Sequence, residues 1–288
     1  MGGNFLHVLG LTADIRTATL TKQSRLTTAK PGQGQTMKLP NTLIVGAQKS
    51  GTTWLHHSLK KSEQVFASKP KELNFFLRQN PEKELADYAA HFEDNCAPIR
   101  LESSPGYFRL PERHCVARSI KRCLPQVKII LSLRNPVDRY LSAYTHHIQA
   151  GRLPYTPVID ELRDDLRMVS FGMYADILAH WQTVFPDMLV LLYNEIDTRP
   201  MRIIRRIENH LDVELGLNRS DLRFRVNDAD RKVRRGNISD AAKKSWQGRP
   251  SLSPELRAEL HELYREQVDR LADMTGFDLS AWQTATIE

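Results

Sequence analysis

The chain has 288 residues, 41% hydrophobic and 26% charged, and its 41 Lys and Arg against 34 Asp and Glu give a formal charge of +7. A chain of this length builds a core without staples, and the three cysteines, Cys96, Cys115 and Cys123, are too few and too irregularly spaced for a disulfide or zinc framework, so they read as packing thiols. The positive balance favours an anionic ligand but does not choose among a nucleotide, a glycan, a nucleic acid and a lipid surface.

Residues 1–38 are rich in Thr, Gly, Lys and Gln and carry no sustained apolar period, which predicts a flexible extension ahead of a single domain over 39–288. The short run Phe5 to Leu11 is broken by His7 and followed by Asp14. It matches neither a membrane span of ~18 apolar residues nor a secretory signal, so a cytoplasmic protein is expected. The first core element is LPNTLIVGA, where Leu43, Ile44 and Val45 form the continuous apolar run of a strand buried on both faces. A helix should follow, with Trp54, Leu55 and Leu59 at helical spacing. QVKIILSLR predicts a second such strand ending at Arg134, and Asn135-Pro136 a helix start carrying Val137, Leu141 and Tyr144 on one face. MLVLLYNE predicts a third strand before the amphipathic helix MRIIRRIENHL. The last helix should be capped by Ser253, start with Pro254 and close at Gly276. Alternating strands and helices imply an α/β fold of three layers, with a central parallel sheet flanked by helices.

In GAQKSGTT, Gly46 and Gly51 stand five positions apart between strand and helix, the glycine spacing of a P-loop. The Walker lysine is missing: Thr52 holds its place, Thr53 holds the Ser/Thr place, and the loop's lysine, Lys49, precedes the second glycine. Converging amides and a helix N-terminus still suit an anion, but ATP hydrolysis does not follow.

The segment LIVGAQKSGTTWL resembles the 5'-phosphosulfate loop of sulfotransferases that use 3'-phosphoadenosine 5'-phosphosulfate (PAPS), closest in motif style to the glycan and heparan-sulfate type. The resemblance implies a P-loop-like fold and a donor released as 3',5'-diphosphoadenosine, with no metal required. It implies that Gly46 and Gln48 shape the loop, Lys49 stabilises the leaving group, Ser50, Gly51, Thr52 and Thr53 bind the 5'-phosphate, and Trp54 lies against the adenine. KIILSLRNPVDRYLSAYTHH is similar to the family's 3'-phosphate clamp, which assigns Arg134 and Ser142. A guanidinium suits that task because its planar fork donates two charge-assisted hydrogen bonds to one phosphate. Arg139 is read as a surface helix residue, with donor contact as the alternative.

Between the two loops, KPKELNFF resembles the segment that supplies the family's general base. It assigns Glu72 that role, with Lys69 and Lys71 holding anionic groups and burial near Phe75 and Phe76 expected to raise the Glu72 pKa. LESSPGYF resembles the acceptor-cleft segment Glu-Lys-Ser-Pro-x-Tyr-Phe and assigns Glu102, Ser103 and Tyr107 to the cleft, with a structural hydrogen-bonding carboxylate as the other reading of Glu102. Ser103 stands where the family has lysine, which disfavours a highly sulfated polysaccharide acceptor. FGMYADILAHWQTVFP matches a family helix in which Tyr174 approaches the ligand while Leu178 and Trp181 are core. Tyr193 is implied near the adenine, and Arg234, Arg235 and Gly236 in a late loop over the 3'-phosphate. The acceptor stays open among a carbohydrate, a glycolipid and a small-molecule alcohol, with no nucleic acid expected. The alternatives are a P-loop kinase or NTPase and a basic polyanion-binding protein without catalysis.

Overall fold

The computed structural model describes residues 37–92, 96–112, 114–224, 233, 236 and 238–283. Of the extension expected over 1–38, only the exposed Met37 and Lys38 fall within the described residues. Among the described residues a five-stranded, all-parallel sheet has the order β2-β3-β1-β4-β6, formed by β1 (Thr42–Gly46), β2 (Val65–Ala67), β3 (Ile99–Ser103), β4 (Lys128–Leu133) and β6 (Leu189–Leu192). A two-residue pair, β5 (Val158–Ile159) with β7 (Ser251–Leu252), lies apart from it.

Because side chains alternate along a strand, each strand feeds two cores. Leu43, Val45, Ile129, Leu131 and Leu133 face one, which is covered by α3 (Val116–Cys123), α4 (Pro136–Gln149), α5 (Tyr174–Gln182) and α9 (Pro254–Thr275). Ile44, Ile130 and Leu191 face the other, which is covered by α1 (Thr52–Leu59) and α7 (Pro200–Leu211) through Trp54, Leu55, Leu59, Ile203, Ile204 and Ile207. The described residues also include the short helices α2 (Leu85–Ala89), α6 (Asn194–Thr198) and α8 (Asp240–Ser245). The expected three-layer parallel fold is present, and Leu178 and Trp181 are fully buried core residues.

The helix starts follow the sequence signals. Asn135 caps α4, its side chain accepting from the Val137 amide at 2.9 Å, and Ser253 caps α9, accepting from the Leu256 amide at 3.1 Å. Gly276 ends α9 at φ +68°. Three expectations differ. β2 and β3 were not read as strands, because β2 is three residues long and β3 interrupts its apolar residues with Arg100 and Glu102. The cysteines are not packing thiols throughout: all three are free, Cys96 is exposed, and Cys115 and Cys123 are half-buried. Arg139 is not a surface residue. It is fully buried in α4, donates through Nη2 to the Met168 carbonyl, and keeps Nε and Nη1 without partners among the described residues.

Candidate active site

β1 and β4 are parallel neighbours that the chain leaves in opposite directions, after β1 toward β2 and β3 and after β4 toward β6. Such a reversal opens a crevice at the carboxyl ends of the strands, where open α/β sheets take ligands. The loop 47–51 and the turn at Arg134 and Asn135 border it. Ser132 ties the two together: its hydroxyl donates to the Ser50 carbonyl at 2.7 Å and its carbonyl accepts from the Ala47 amide at 2.7 Å.

Both loop glycines are required by close approach. A Cβ on Gly46 would lie 2.5 Å from the Phe108 Cβ. Gly51 sits at φ +83°, with Ile196 Cδ1 2.4 Å and Tyr193 Cδ2 2.8 Å from the place a Cβ would take. Gly51→Ala therefore combines left-handed strain with a clash and is expected to cost roughly 2–4 kcal/mol of stability, read from urea unfolding. An unchanged midpoint at unchanged slope would contradict this packing. Lys49 adopts φ +67° between these glycines. A non-glycine residue held there costs ~1–3 kcal/mol and persists only where its surroundings over-determine it.

Several polar groups are buried at the crevice. The Ser50 hydroxyl, the Tyr174 hydroxyl and Arg134 Nε are buried without a hydrogen bond of ordinary geometry among the described residues. Tyr174 OH lies near Ser50 and Arg134; burial pushes its phenol above the ordinary range, while the Arg139 charge and these neighbours pull it back. The Tyr174 and Ser50 hydroxyls are within reach of one another, which leaves Arg134 Nε as the buried group without a partner among the described residues; such a group costs ~1–3 kcal/mol, which fits an oxygen-rich anion beside it. Thr52, buried, opens α1 and turns its first-turn amides toward the same place.

Arg134 lies over the Tyr193 ring, its Cζ 4.8 Å from the centroid, with Nη2 3.7 Å from Asp138. The Tyr193 ring is also the surface against which Gly51 packs. One aromatic side chain therefore touches both the loop 47–51 and the arginine that follows β4. Ser142 is half-buried in α4, the helix that starts two residues after Arg134.

Ile196, which Gly51 abuts, also lines an open cleft of about 510 Å³ with Trp54, Pro200, Arg219, Leu222 and Phe224. That volume lies within the ~300–1,000 Å³ of small-molecule sites. The Trp54 and Phe224 rings stack at 6.2 Å and 18°, and Trp54 Nε1 donates to the Leu222 carbonyl at 3.4 Å. Trp54 is itself buried in the core on this side of the sheet; Phe224, far along the chain, has no motif of its own.

His147 is a second residue the motifs did not point to. Buried in α4, it is pushed down to about 4 by burial first and then by the charges of Arg152 and Lys49, so it stays neutral at physiological pH, its Nδ1 3.0 Å from Arg152 Nη1.

On the neighbouring β3 side the expected roles are redistributed. Glu72, at φ +65°, donates its amide to the Ser103 carbonyl at 3.1 Å, but its side chain is 49% exposed and paired with Lys71, so the expected burial by Phe75 and Phe76 does not occur. Those rings instead pack on Tyr88 and Tyr107, whose hydroxyls hold Glu102. Glu102 is fully buried and pushed up to about 7 by burial, which hydrogen bonds from Ser104, Tyr88 and Tyr107 and the Lys71 charge oppose. Its structural reading holds, and the cleft contact expected of Glu102 and Tyr107 does not, because both are fully buried. Ser103 is buried as well, its hydroxyl without a partner among the described residues. Gly236 is exposed at φ +69°; Arg234 and Arg235 lie outside the described residues.

Residues 39–272 match the family profile described as "Sulfotransferase domain". The chain belongs to the sulfotransferase family. The human "Heparan sulfate glucosamine 3-O-sulfotransferase 6" is 30% identical over 262 residues, covering 84% of this chain and 73% of that protein. The Bos taurus "Bifunctional heparan sulfate N-deacetylase/N-sulfotransferase 2" is 28% identical over 279 residues, covering 85% of this chain. The chain spans about a third (31%) of that relative's length. A solved sulfotransferase from Alicyclobacillus acidocaldarius aligns with a TM-score of 0.62 at 23% identity, over 85% of this chain and 99% of its own, and shares the fold. No helix among the described residues is long and apolar enough to cross a membrane.

Proposed function

We propose that this chain transfers the sulfuryl group of PAPS to a hydroxyl or amine of a carbohydrate acceptor. The observation that carries the reading is the crevice between β1 and β4, where the loop 47–51 and Arg134 share Tyr193 and Arg134 Nε is buried without a partner among the described residues. The loop amides with Ser50, Thr52 and Thr53 bind the 5'-phosphate, Arg134 with Ser142 binds the 3'-phosphate, and Trp54 with Phe224 receives the adenine. Arg234, Arg235 and Gly236 complete the 3'-phosphate side.

In the transfer, the acceptor oxygen or nitrogen attacks sulfur in line, and the bond from sulfur to the 5'-phosphate oxygen breaks. The electron pair stays on that oxygen, where Lys49 stabilises it, and 3',5'-diphosphoadenosine leaves. The acceptor proton passes to Glu72, whose exposed carboxylate is open to an incoming acceptor. Lys71 steadies that carboxylate. The carbohydrate class is supported by the glycan names of the relatives.

Two measurements test the reading. Labelled PAPS incubated with desulfated heparan sulfate, a neutral glycolipid and a simple alcohol should deposit label in the glycan; label only in the alcohol would overturn the acceptor class. In a thermal-shift titration, 3',5'-diphosphoadenosine at 100 times its Kd should stabilise the fold by ~2.7 kcal/mol, whereas ATP with magnesium should give a smaller shift at equal concentration. The reverse order would favour the kinase alternative.

A further inference from the structure

We propose that Glu102 is a positioning residue: a buried carboxyl that, through the hydroxyls of Ser104 and Tyr107, fixes the main chain carrying Glu72. This rests on the reading of Glu72 as the base.

The connections are continuous. Glu102 lies on β3 opposite Leu43 of β1, the sheet's central strand. Its Oε1 accepts from the Ser104 hydroxyl, and its Oε2 accepts from Tyr107 OH at 3.1 Å and Tyr88 OH at 2.9 Å. Each hydroxyl has one proton, and giving it to Glu102 leaves the oxygen's lone pairs facing the loop. The Ser104 oxygen accepts from the Asn74 amide at 2.9 Å, and the Tyr107 oxygen accepts from the Phe76 amide at 3.2 Å. One carboxyl therefore orients two hydroxyls, and each hydroxyl holds one amide of the segment that follows Glu72.

Little else ties this segment to β3. Glu72 and Asn74 take φ of +65° and +52°, conformations a non-glycine residue holds only when its surroundings enforce them. The Glu72 amide is bonded to the Ser103 carbonyl, one residue from Glu102. Phe75 stacks on Tyr88 at 4.1 Å and 3°, so the third hydroxyl partner of Glu102 also clamps the segment from α2. The groups facing Glu102 are Tyr88 from α2, Tyr107 and Ser104 from the turn after β3, and Lys71 from the loop itself. All but Lys71 are hydroxyls, and all of these donate to it. An apolar residue here would leave three buried hydroxyl protons without their acceptor, so the carboxyl serves through its acceptor atoms.

The test compares wild type, Glu102→Leu, and the double variant Ser104→Ala/Tyr107→Phe, which removes the relays and remains available if Glu102→Leu does not fold. Backbone hydrogen exchange is followed at Asn74 and Phe76, with the Glu72 amide, bonded to backbone, as reference. Transfer from labelled PAPS to desulfated heparan sulfate is measured in parallel. Faster exchange at 74 and 76, with kcat down ~10- to 100-fold and the KM for PAPS unchanged, is the expected result, because small displacements of a catalytic group have effects of this size. Unchanged exchange at both amides would overturn the anchor. So would faster exchange with undiminished kcat while Glu72→Gln is inactive, since the segment would then not need fixing. A fully active Glu72→Gln would instead remove the base reading, and the purpose assigned to Glu102 with it.

Discussion

Replacing Lys49 by alanine is expected to lower kcat by ~10²- to 10³-fold, the usual effect of removing one preorganised charge-stabilising group from a transition state. The loop backbone does not depend on this side chain: Ser132 holds it from β4, and Gly46 and Gly51 set its path against Phe108 and Ile196. Donor binding should therefore fall less than turnover, because the amides, Ser50 and Arg134 remain, and a group that acts on charge developing as the bond to sulfur breaks contributes most in the transition state. Single-turnover measurement with labelled PAPS, alongside the Kd for 3',5'-diphosphoadenosine, separates the two effects. A kcat equal to wild type would remove Lys49 from the chemistry. An equal loss in binding and turnover would make it a binding group only.

Glu72→Gln is expected to lower kcat by ~10²- to 10⁴-fold while leaving 3',5'-diphosphoadenosine affinity unchanged. The amide keeps the size and hydrogen-bonding reach of the side chain but cannot take the acceptor's proton. Because Glu72 is half exposed and bonded to the core only through its backbone amide, the substitution should leave the melting temperature alone, so a loss of rate cannot be assigned to unfolding. Wild-type turnover would refute the role. Glu102, the other acid of this region, cannot replace Glu72 as the base, since it is fully buried and its oxygens are occupied by three hydroxyls.

The sequence carried the parts of the fold that local pattern dictates. β1, β4 and β6 are short apolar runs buried on both faces, and α4 and α9 begin at Asn135 and Ser253, whose side chains do cap them. β3 was hidden because Arg100 and Glu102 break its apolar run, and Glu102 is tolerated there only because hydroxyls from residues 88, 104 and 107 converge on it. That convergence is tertiary, and no local spacing announces it. The same holds for Arg139, whose charge suggested a solvated helix face but whose position in α4 points inward among Tyr174, Tyr264 and His147. It holds too for Phe224, which meets Trp54 only because the chain returns across α1. The loop residues 46–54 and Arg134 were legible because glycine spacing and a strand-ending arginine are local features. The burial of Glu72 was misjudged because Phe75 and Phe76 follow it in sequence but turn toward Tyr88 and Tyr107.

In the proposed function the loop after β1 and the arginine after β4 grip opposite ends of one adenosine bisphosphate. Calorimetric titration of wild type and Arg134→Ala with 3',5'-diphosphoadenosine and with 5'-AMP, which lacks the 3'-phosphate, tests it most directly. Wild type should prefer the bisphosphate by ~10- to 100-fold, the scale of one charge-assisted hydrogen bond or more, and Arg134→Ala should bind the two nucleotides nearly alike. A preference that survives intact in Arg134→Ala would contradict it.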